Sequence, residues 1–538
     1  MKNPVYNGRL LLRSARLWRQ HRQCVHLRYA RILLLFFLVC LVWAFLGQVQ
    51  ATGSMAAGLP EASHQALPYW RGFNLLNKFS KDWSNKPFRE SDFARIAALG
   101  FNFVRLPMDY RVWIVNDDLR RFDEKVLQEI DQAVAWGKKY NIHVQLNFHR
   151  APGYCVNPPR EALNLWTDAK AQEAFIEHWE VFTRRYQGIP SRNLSFNLLN
   201  EPSGVEARVY AELMKRTIEA IHRIDPERLV VVDGLNYARQ PVWELVGVKA
   251  AQSFHNYEPF RFTHYQAEWV DSAGWAEPRW PLPLVPDKLY GVMKPELQSP
   301  MVIEGDFPVE TELSLRVQVV SNYARLVVKA DGRRIYNKML RSGPGQGEWK
   351  KAVYREEWRI YQNIFDRDYT VTIPPGTKRV EVMVTSGDWL SFSQVTIAPK
   401  GREKIVIPST VSDWGLPPAA FQIGPDGSCR IIRAGGSDDV YLDKAWLRKT
   451  IGPWLDLKKQ GVGVMVGEWG VYNKTPHDVS LRWMEDLLDL FKEAGLGWAL
   501  WNFEGTFGII NSNRADVKYV PYDGDQLDGA MLELLQKY

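Results

Sequence analysis

The sequence predicts an α/β protein in which a (β/α)8 barrel is interrupted by an all-β, sandwich-like insert between its sixth and seventh strands. One N-terminal hydrophobic helix precedes the barrel. Three observations support this prediction. Short apolar runs alternate with amphipathic stretches of 12–20 residues, the usual pattern of strands and helices around a parallel sheet. About 200 residues separate the sixth apolar run from the seventh, and an apolar run of fifteen residues follows a basic leader.

The barrel is predicted from eight apolar runs that are bounded by turn residues. Such runs are typical of strands buried on both faces. They lie at residues 70–75, 101–106, 143–148, 194–199, 229–233, 251–255, 462–467 and 498–503. Apolar residues at helical spacing predict helices at residues 91–99, 124–139, 169–186, 206–223, 445–459 and 480–494. Eight strands fit a closed barrel, in which chemistry takes place at the C-terminal ends of the strands.

The long gap between the sixth and seventh strands has an all-β pattern. Alternating or apolar runs with β-branched residues, separated by Gly and Pro turns, predict a small β-sandwich at residues 301–405. The barrel would then consist of residues 68–300 and 406–538. The insert is interpreted either as a stabilising module or as a carbohydrate-binding module or wall of a substrate groove. Trp358 and Trp389 motivate the second interpretation.

The N-terminus is predicted to direct export or membrane anchoring. Residues 1–31 contain eight basic residues and no acid, and the unbroken apolar run 32–46 follows. Fifteen residues is short for a spanning helix and long for a signal-peptide core, so 32–50 is either a signal-anchor or a cleaved signal peptide. With an anchor, residues 1–31 stay in the cytoplasm, 51–67 form a linker and the barrel lies outside the inner membrane, in the periplasm. If the leader is cleaved, the protein is secreted.

The charge and cysteine content restrict the possible partners. The formal net charge of +7 comes from the leader, because the remaining chain has 60 basic against 61 acidic residues. We therefore expect no nucleic-acid partner. Outside the leader region only Cys155 and Cys429 remain, so one disulfide is possible but not established. No Cys/His spacing suggests a structural zinc site, and we expect no metal or cofactor requirement.

Two glutamates, Glu201 and Glu468, stand where apolar runs end. The first follows Leu-Ser-Phe-Asn-Leu-Leu-Asn, and the second follows Val-Gly-Val-Met-Val-Gly. The C-terminal ends of barrel strands converge on one pocket, so the two carboxyl groups are expected to meet there. Two convergent carboxyl groups are the minimum equipment for cleaving a glycosidic bond.

The chain resembles glycoside hydrolase family 5, the cellulase-type retaining glycosidases built on a (β/α)8 TIM barrel. The resemblance covers roughly residues 68–280 and 440–538 and does not include the insert. It rests on six motifs in the expected order, each at a predicted strand end. They are Arg105 in Val-Arg-Leu-Pro, His149 in Asn-Phe-His, Asn200-Glu201-Pro202, His255-Asn256-Tyr257, Glu468 in Gly-Glu-Trp, and Trp501.

The resemblance implies a role for each matched residue. Glu201 would be the general acid/base and Glu468 the nucleophile of a double displacement. Arg105 and Tyr257 would hold Glu468 ionised, and Asn200 would bond the sugar 2-hydroxyl. Retention requires carboxyl groups about 5–5.5 Å apart, against about 6.5–9.5 Å for inversion.

The remaining matched residues, His149, His255 and Trp501, would bind substrate and orient the carboxylates. Six further aromatic residues in loops after predicted strands are interpreted either as sugar-stacking walls or as packing residues. They are Trp113, Tyr154, Trp166, Trp269, Trp275 and Trp280.

Three functions therefore remain open at the level of sequence. The first is a hydrolase acting on a β-linked glucan or related polysaccharide. The second is a membrane-associated β-glucan transglycosylase, which would use the same Glu201 and Glu468 with a sugar acceptor. The third is a non-catalytic polysaccharide-binding protein. An anchored enzyme would have a polysaccharide synthesis or export machinery as a possible partner.

Overall fold

Eight parallel strands close into a barrel. The computed structural model describes residues 58–538 except 273, 435, 437 and 438. Within them the barrel strands are β1 Arg71–Asn74, β2 Phe103–Asp109, β3 His143–Ala151, β4 Leu194–Asn197, β5 Leu229–Asp233, β6 Ala251–Asn256, β7 Val464–Trp469 and β8 Trp498–Leu500. Each strand pairs with the next in parallel, and β8 pairs with β1. The predicted (β/α)8 TIM barrel is confirmed.

The amphipathic stretches form the helices around the barrel. They are α1 Glu90–Ala98, α2 Glu124–Lys139, α3 Ala169–Arg185, α4 Ala207–Ile224, α5 Lys444–Lys459, α6 His477–Ala494 and α7 Gly529–Lys537. Aspartate side chains cap several N-termini, because a carboxylate accepts hydrogen bonds from backbone N–H groups that have no partner within the helix. Asp123 accepts from the N–H of Lys125, and Asp443 accepts from that of Trp446. Shorter helices, Leu235–Ala238 and Phe260–Thr263, follow β5 and β6.

The segment between β6 and β7 is rich in strands, and we call residues 282–442 the β-rich segment. Its main sheet has ten strands among the described residues and is mostly antiparallel. They are Lys288–Tyr290, Met301–Phe307, Thr311–Ala330, Arg333–Arg341, Tyr354–Arg355, Ile360–Ile373, Thr377–Pro399, Ile405–Pro408, Ala420–Ile423 and Cys429–Arg433. The strands extend beyond 301–405 on both sides. Residues 60–538 form one compact unit, so an independent sandwich domain stays a prediction.

Short strand pairs complete the described secondary structure. Ile114–Val115 pairs with Asp118–Phe122, and Val520–Tyr522 pairs with Asp525–Leu527. Leu282–Pro283 pairs with Tyr441–Leu442 at the two ends of the β-rich segment. Tyr154–Cys155 pairs with the end of β3 and so places the loop after that strand close to the carboxyl ends of the barrel strands.

The barrel interior is apolar at one end and polar at the other. Buried apolar side chains at or near the beginnings of the strands fill the N-terminal end; they are Trp70, Phe103, Leu229, Val231, Ala251, Met465 and Ala499. Further along the barrel lie buried polar side chains, among them Asn74, Arg105, Asn147 and Asn197. This layering places charged and amide groups where barrel enzymes carry out chemistry.

The predicted leader 1–31 and hydrophobic helix 32–50 lie outside the described residues. The membrane segment therefore stays a prediction. Within residues 58–538, leaving aside the four positions named above, no helix is both long enough and apolar enough to cross a bilayer.

Candidate active site

Glu201 and Glu468 meet at the C-terminal end of the barrel. Glu468 lies within β7 and is 3% exposed, whereas Glu201 follows β4 and its side chain is 16% exposed. One carboxylate oxygen of each and a ring nitrogen of His255 all lie within 4.8 Å of one another. The backbone of Glu201 has φ 48°, a left-handed conformation that non-glycine residues seldom adopt and that is enriched at functional sites.

The chain reaches Glu468 through a β-bulge. The register of β7 against β6 shifts between Val466 and Glu468, which turns the glutamate towards the barrel axis. Gly467 makes this possible, because a Cβ at that position would lie 2.4 Å from the hydroxyl of Ser253 and 3.2 Å from Nε2 of His255. Only a residue without a side chain lets the two strands approach this closely.

Arg105 is fully buried and binds four polar side chains. Its Nε donates to Asn197 Oδ1 at 2.9 Å, and its Nη2 donates to Asn200 Oδ1 at 2.8 Å. Its Nη1 donates to Glu468 Oε1 at 2.6 Å and to Asn74 Oδ1 at 3.1 Å. A planar guanidinium can meet all these acceptors at once, so Arg105 fixes the geometry of the whole group.

Glu468 is therefore held by a cation and by a hydroxyl. Tyr257 donates its hydroxyl to Oε2 at 3.1 Å, on the carboxylate oxygen that Arg105 leaves free. Burial raises the pKa of Glu468, and the nearby His255 and Arg105 act against that rise by stabilising the carboxylate. The predicted contacts of Arg105 and Tyr257 with Glu468 are present.

His255 joins Glu201 to a third carboxyl group, that of Asp233. Nδ1 of His255 bonds Glu201 Oε1 at 2.8 Å, and Nε2 lies 3.3 Å from Asp233 Oδ2. Burial lowers the pKa of His255, but Glu468, Asp233 and Glu201 together outweigh burial and leave that pKa raised. Arg105, which also faces this group, binds Glu468 and so reduces the negative charge around the imidazole.

Asp233 is a site residue that the sequence analysis missed. It ends β5, is fully buried, and lies 3.6 Å from Nη2 of Arg105. It accepts the backbone N–H of Glu201 at 3.2 Å and the amide of Asn197 at 2.8 Å. The signal was available, because Leu-Val-Val-Val-Asp is an apolar run ending in an acid, as at the two glutamates.

We expect Asp233→Asn to lower the free energy of unfolding by about 2 kcal/mol at pH 6 and by less at pH 9. A raised pKa means that His255 in the folded protein keeps its proton above the value of 6.5 for a free histidine. Its attraction to Asp233 is therefore fully present below about pH 6.5 and is lost as pH rises through the folded pKa. The difference in unfolding free energy between wild type and variant should decrease by about 1 kcal/mol between pH 6 and pH 9, as measured by urea unfolding.

The control for this prediction is the same substitution in a His255→Gln background. Without the imidazole, Asp233→Asn should have a cost that does not change between pH 6 and pH 9. If Asp233→Asn lowers the free energy of unfolding of the wild-type background by the same amount at pH 6 and pH 9, the His255–Asp233 interaction is contradicted.

His149 and Trp501 line the space above the carboxyl groups, and Asn200 is fully buried against Arg105. Nε2 of His149 bonds Asn157 Oδ1 at 2.8 Å, and its ring stacks on Trp501 with centroids 5.8 Å apart. Burial, reinforced by the charge of Arg105, holds the pKa of His149 well below its usual value, so the imidazole is neutral. Nδ2 of Asn200 is buried and has no hydrogen-bond partner among the described residues, which leaves a donor for a ligand.

These residues open into a cleft of about 1240 Å³. This volume exceeds the roughly 300–1,000 Å³ of pockets for small ligands, so the cleft has room for several sugar rings. Aromatic side chains make up much of its lining, namely Phe79, Trp83, Tyr237, Tyr257, Phe260, Trp269, Trp275, Trp501 and Phe507. Five of these were not identified from the sequence, namely Phe79, Trp83, Tyr237, Phe260 and Phe507.

The six loop aromatics, interpreted either as sugar-stacking walls or as packing residues, fall into three pairs. Trp269 and Trp275 line the cleft. Trp113 is fully buried and donates to His178, and Trp280 is buried and donates to Asp486, so these two are packing residues. Trp166 packs on Tyr154 with centroids 4.9 Å apart. The hydroxyl of Tyr154 donates to the backbone carbonyl of Glu201 at 2.6 Å, which supports the backbone of the acid and not a sugar.

Cys155 and Cys429 are both free thiols, so the possible disulfide is not formed in the structure. Cys155 lies beside the cleft, where burial raises the pKa of its thiol to about 11. It is therefore a thiol and not a thiolate at neutral pH.

Glu201, His255 and Glu468 could in principle hold a metal ion. The guanidinium of Arg105, 2.6 Å from Glu468, would repel a cation there. The bond between His255 Nδ1 and Glu201 Oε1 also occupies atoms that would be ligands. The expectation that no metal is required remains a prediction.

Comparisons with known proteins agree with this site. Residues 62–280 match the cellulase family, glycosyl hydrolase family 5. Endoglucanase C of Acetivibrio thermocellus is 33% identical over 199 residues, covering 36% of this chain and 57% of that protein. Cellodextrinase A of Ruminococcus flavefaciens is 29% identical over 211 residues, covering 37% of this chain and 62% of that protein. The chain thus spans about three fifths of the length of these relatives.

A solved structure of a glycoside hydrolase is similar over a longer part of the chain. It is 29% identical with a TM-score of 0.56, and the match covers 87% of this chain and 99% of that one. The matched family, these relatives and this solved structure are therefore similar to parts of this chain, and the part that matches the family includes strands β1 to β6 and Glu201. The match to the family ends at residue 280 and so excludes the β-rich segment.

Proposed function

We propose that this protein is a retaining glycoside hydrolase that cleaves a β-linked glucan by double displacement. The observation that carries the proposal is the distance of at most 4.8 Å between carboxylate oxygens of Glu201 and Glu468. This spacing is compatible with the roughly 5–5.5 Å of retaining enzymes and is shorter than the roughly 6.5–9.5 Å of inverting enzymes. The endoglucanase and cellodextrinase relatives support a β-glucan as the substrate class.

In the first step, Glu468 attacks the anomeric carbon while Glu201 donates a proton to the glycosidic oxygen. The bond between the anomeric carbon and the glycosidic oxygen breaks as the bond to a Glu468 oxygen forms. The leaving sugar departs as a neutral alcohol. Arg105 and Tyr257 keep the Glu468 carboxylate ionised and aimed, and the free amide donor of Asn200 suits the sugar 2-hydroxyl.

In the second step, Glu201 acts as a base. It takes a proton from a water molecule, whose oxygen attacks the anomeric carbon and releases Glu468. Two inversions at one carbon give net retention. The bond from His255 to Glu201 and the backbone bond from Glu201 to Asp233 keep the carboxyl group in place for both transfers.

The test is product analysis of the full-length protein on β-1,3-, β-1,4- and β-1,6-glucans and on mannan. We expect shorter oligosaccharides from one polymer, and proton NMR should show the β-anomer as the first product because retention preserves the configuration. Glu201→Gln, which keeps the size of the side chain, is the matched control and should release no product.

The other outcomes separate the alternatives. Products longer than the substrate would indicate a transglycosylase, in which a sugar replaces water in the second step. Binding of a polymer without any product would indicate a polysaccharide-binding protein. An α-anomer as the first product would contradict double displacement.

A further inference from the structure

One wall of the cleft comes from outside the region that matches family 5. Residues 410–413, which follow the strand Ile405–Pro408 of the β-rich segment, line the same cleft as Glu201 and Glu468. We call residues 409–415 the cleft loop. A glucan chain that extends from the two carboxyl groups towards this wall would therefore contact the β-rich segment.

A buried ionic network fixes the cleft loop to the barrel. Arg261, in the short helix after β6, donates to Ser409 Oγ at 3.2 Å and to Asp287 Oδ2 at 2.6 Å. Lys288 donates to Asp287 Oδ1 at 2.9 Å and to the carbonyl of Ser412 at 2.6 Å. Asp287 and Lys288 are buried, so the network is shielded from solvent and salt. The cleft loop is thus held in place before any ligand arrives.

Trp414 directly follows the cleft-lining residues 410–413 and is not itself one of the lining residues; its large apolar side chain is held out in solvent. It is 52% exposed, although burying an indole would be favourable. Tyr290 and Trp389 contact it edge to face, with centroids 5.3 and 5.8 Å away, and Lys294 lies 5.7 Å from its centroid. The ring is therefore fixed by its neighbours while much of its surface stays open.

The residue before Trp414 in the cleft loop is acidic. Asp413 lines the cleft and is exposed, and no hydrogen bond or ion pair with another described residue is found for its carboxylate. The loop backbone next to it is fixed, because the N–H of Gly415 donates to the Tyr290 hydroxyl at 3.0 Å. An exposed indole with a carboxylate on the neighbouring residue suits a pyranose, whose C–H groups pack on the ring and whose hydroxyls donate to the carboxylate oxygen.

We propose that Trp414 and Asp413 form a distal sugar subsite for a neutral β-linked glucan chain. The proposal rests on the proposed function and deepens it. The β-rich segment then lengthens the substrate site beyond the carboxyl groups and favours long chains. The subsite contributes binding far from the bond that breaks, so its effect depends on chain length.

The test is kinetics on glucan oligosaccharides of three to eight units, taken from the polymer that the product analysis identifies. Trp414→Ala should raise KM for the longest oligosaccharides about 5- to 10-fold and KM for the trimer less than about 2-fold. Asp413→Asn should also raise KM for the longest oligosaccharides, but by a smaller factor. Trp414→Phe should recover part of the loss, since an aromatic face remains.

Trp358→Ala is the matched control. Trp358 lies in the same β-rich segment and is 61% exposed, but it lies outside the cleft loop, so KM should not change at any length. An equal KM for wild type and Trp414→Ala, or an equal change at every chain length, would overturn the subsite. If Trp414→Ala does not fold, as judged from its melting temperature, Asp413→Asn decides the question alone.

A separate measurement keeps the subsite and the proposed function distinguishable. Calorimetric binding of the octamer to wild type, Trp414→Ala and Trp358→Ala needs no turnover. Weaker binding by Trp414→Ala alone would support the subsite even if no glucan were cleaved. Equal binding by all three would overturn it while leaving hydrolysis intact.

Discussion

Glu468→Gln is expected to lower kcat on the glucan substrate by about 10⁴-fold or more while the barrel stays folded. An amide cannot form the covalent glycosyl ester, and no other described carboxylate is bonded to both Arg105 and Tyr257. Glutamine keeps the side-chain volume and one oxygen for Arg105, so packing should be preserved. Initial rates of reducing-sugar release, with the melting temperature as the check on folding, measure the effect.

Glu485→Gln provides the matched surface control. This glutamate pairs with Lys537 on the protein surface, and its side chain is 45% exposed, so the substitution should leave kcat within about 2-fold. A Glu468→Gln variant that retains even a hundredth of the wild-type rate would contradict the nucleophile role.

The two carboxyl groups can be told apart with a leaving group that needs no proton. On an aryl glucoside with an acidic phenol, Glu201→Gln should slow the first step much less than it does on the polymer, because the departing phenolate is stable without a proton. Glu468→Gln should lose the same fraction of the wild-type rate on either substrate. Equal losses for Glu201→Gln on both substrates would contradict its role as the general acid.

Strand placement could be predicted from the sequence because burial on both faces gives each barrel strand a continuous apolar run. The site residues that stand at strand ends followed from the same reasoning, since closing the barrel brings those ends together. Glu201 and Glu468 are examples, and their carboxyl groups meet in the structure. Arg105 was also predicted near a strand end, but it is the third residue of β2 and its side chain binds Glu468. The resemblance to family 5 supplied their roles.

Other parts of the site could not be predicted in this way. Asp233 ends a strand, but whether it faces His255 depends on strand register, which the apolar pattern does not fix. The bulge at Gly467 depends on how close β6 and β7 approach. The cleft loop is about 150 residues from β6 in sequence, and it reaches the cleft through tertiary contacts such as Arg261 with Asp287. Loops have no periodicity from which such contacts can be predicted.

Arg105→Met is expected to cost about 3–5 kcal/mol of unfolding free energy at pH 7 and to abolish measurable turnover. The substitution fills a similar volume but leaves Glu468 and Asp233, both buried, without the guanidinium. Asn74, Asn197 and Asn200 also lose the donor that orients their side-chain oxygens. Urea unfolding and initial rates measure the two effects.

The pH dependence of this cost identifies its origin. Burial already raises the pKa of Glu468, and Arg105 opposes that rise, so the carboxyl group of the variant should take up a proton at higher pH than that of the wild type. A carboxyl group whose folded pKa is raised destabilises the fold above that pKa and no longer does so once protonated. The cost of Arg105→Met should therefore shrink as pH falls from 7 towards 4.

A double-mutant cycle with Glu468→Gln tests the same interaction without changing pH. Once Glu468 carries no charge, removing Arg105 leaves only the buried carboxylate of Asp233 without a guanidinium. Arg105→Met should therefore lower the free energy of unfolding less in the Glu468→Gln background than in the wild type. Arg105→Lys should restore part of the stability, because it returns the charge, but little of the activity. One ammonium group cannot donate at the same time to Glu468, Asn74, Asn197 and Asn200 in the geometry that the planar guanidinium holds. Additive costs in the cycle would mean that Arg105 stabilises the barrel through its amide partners and not through Glu468.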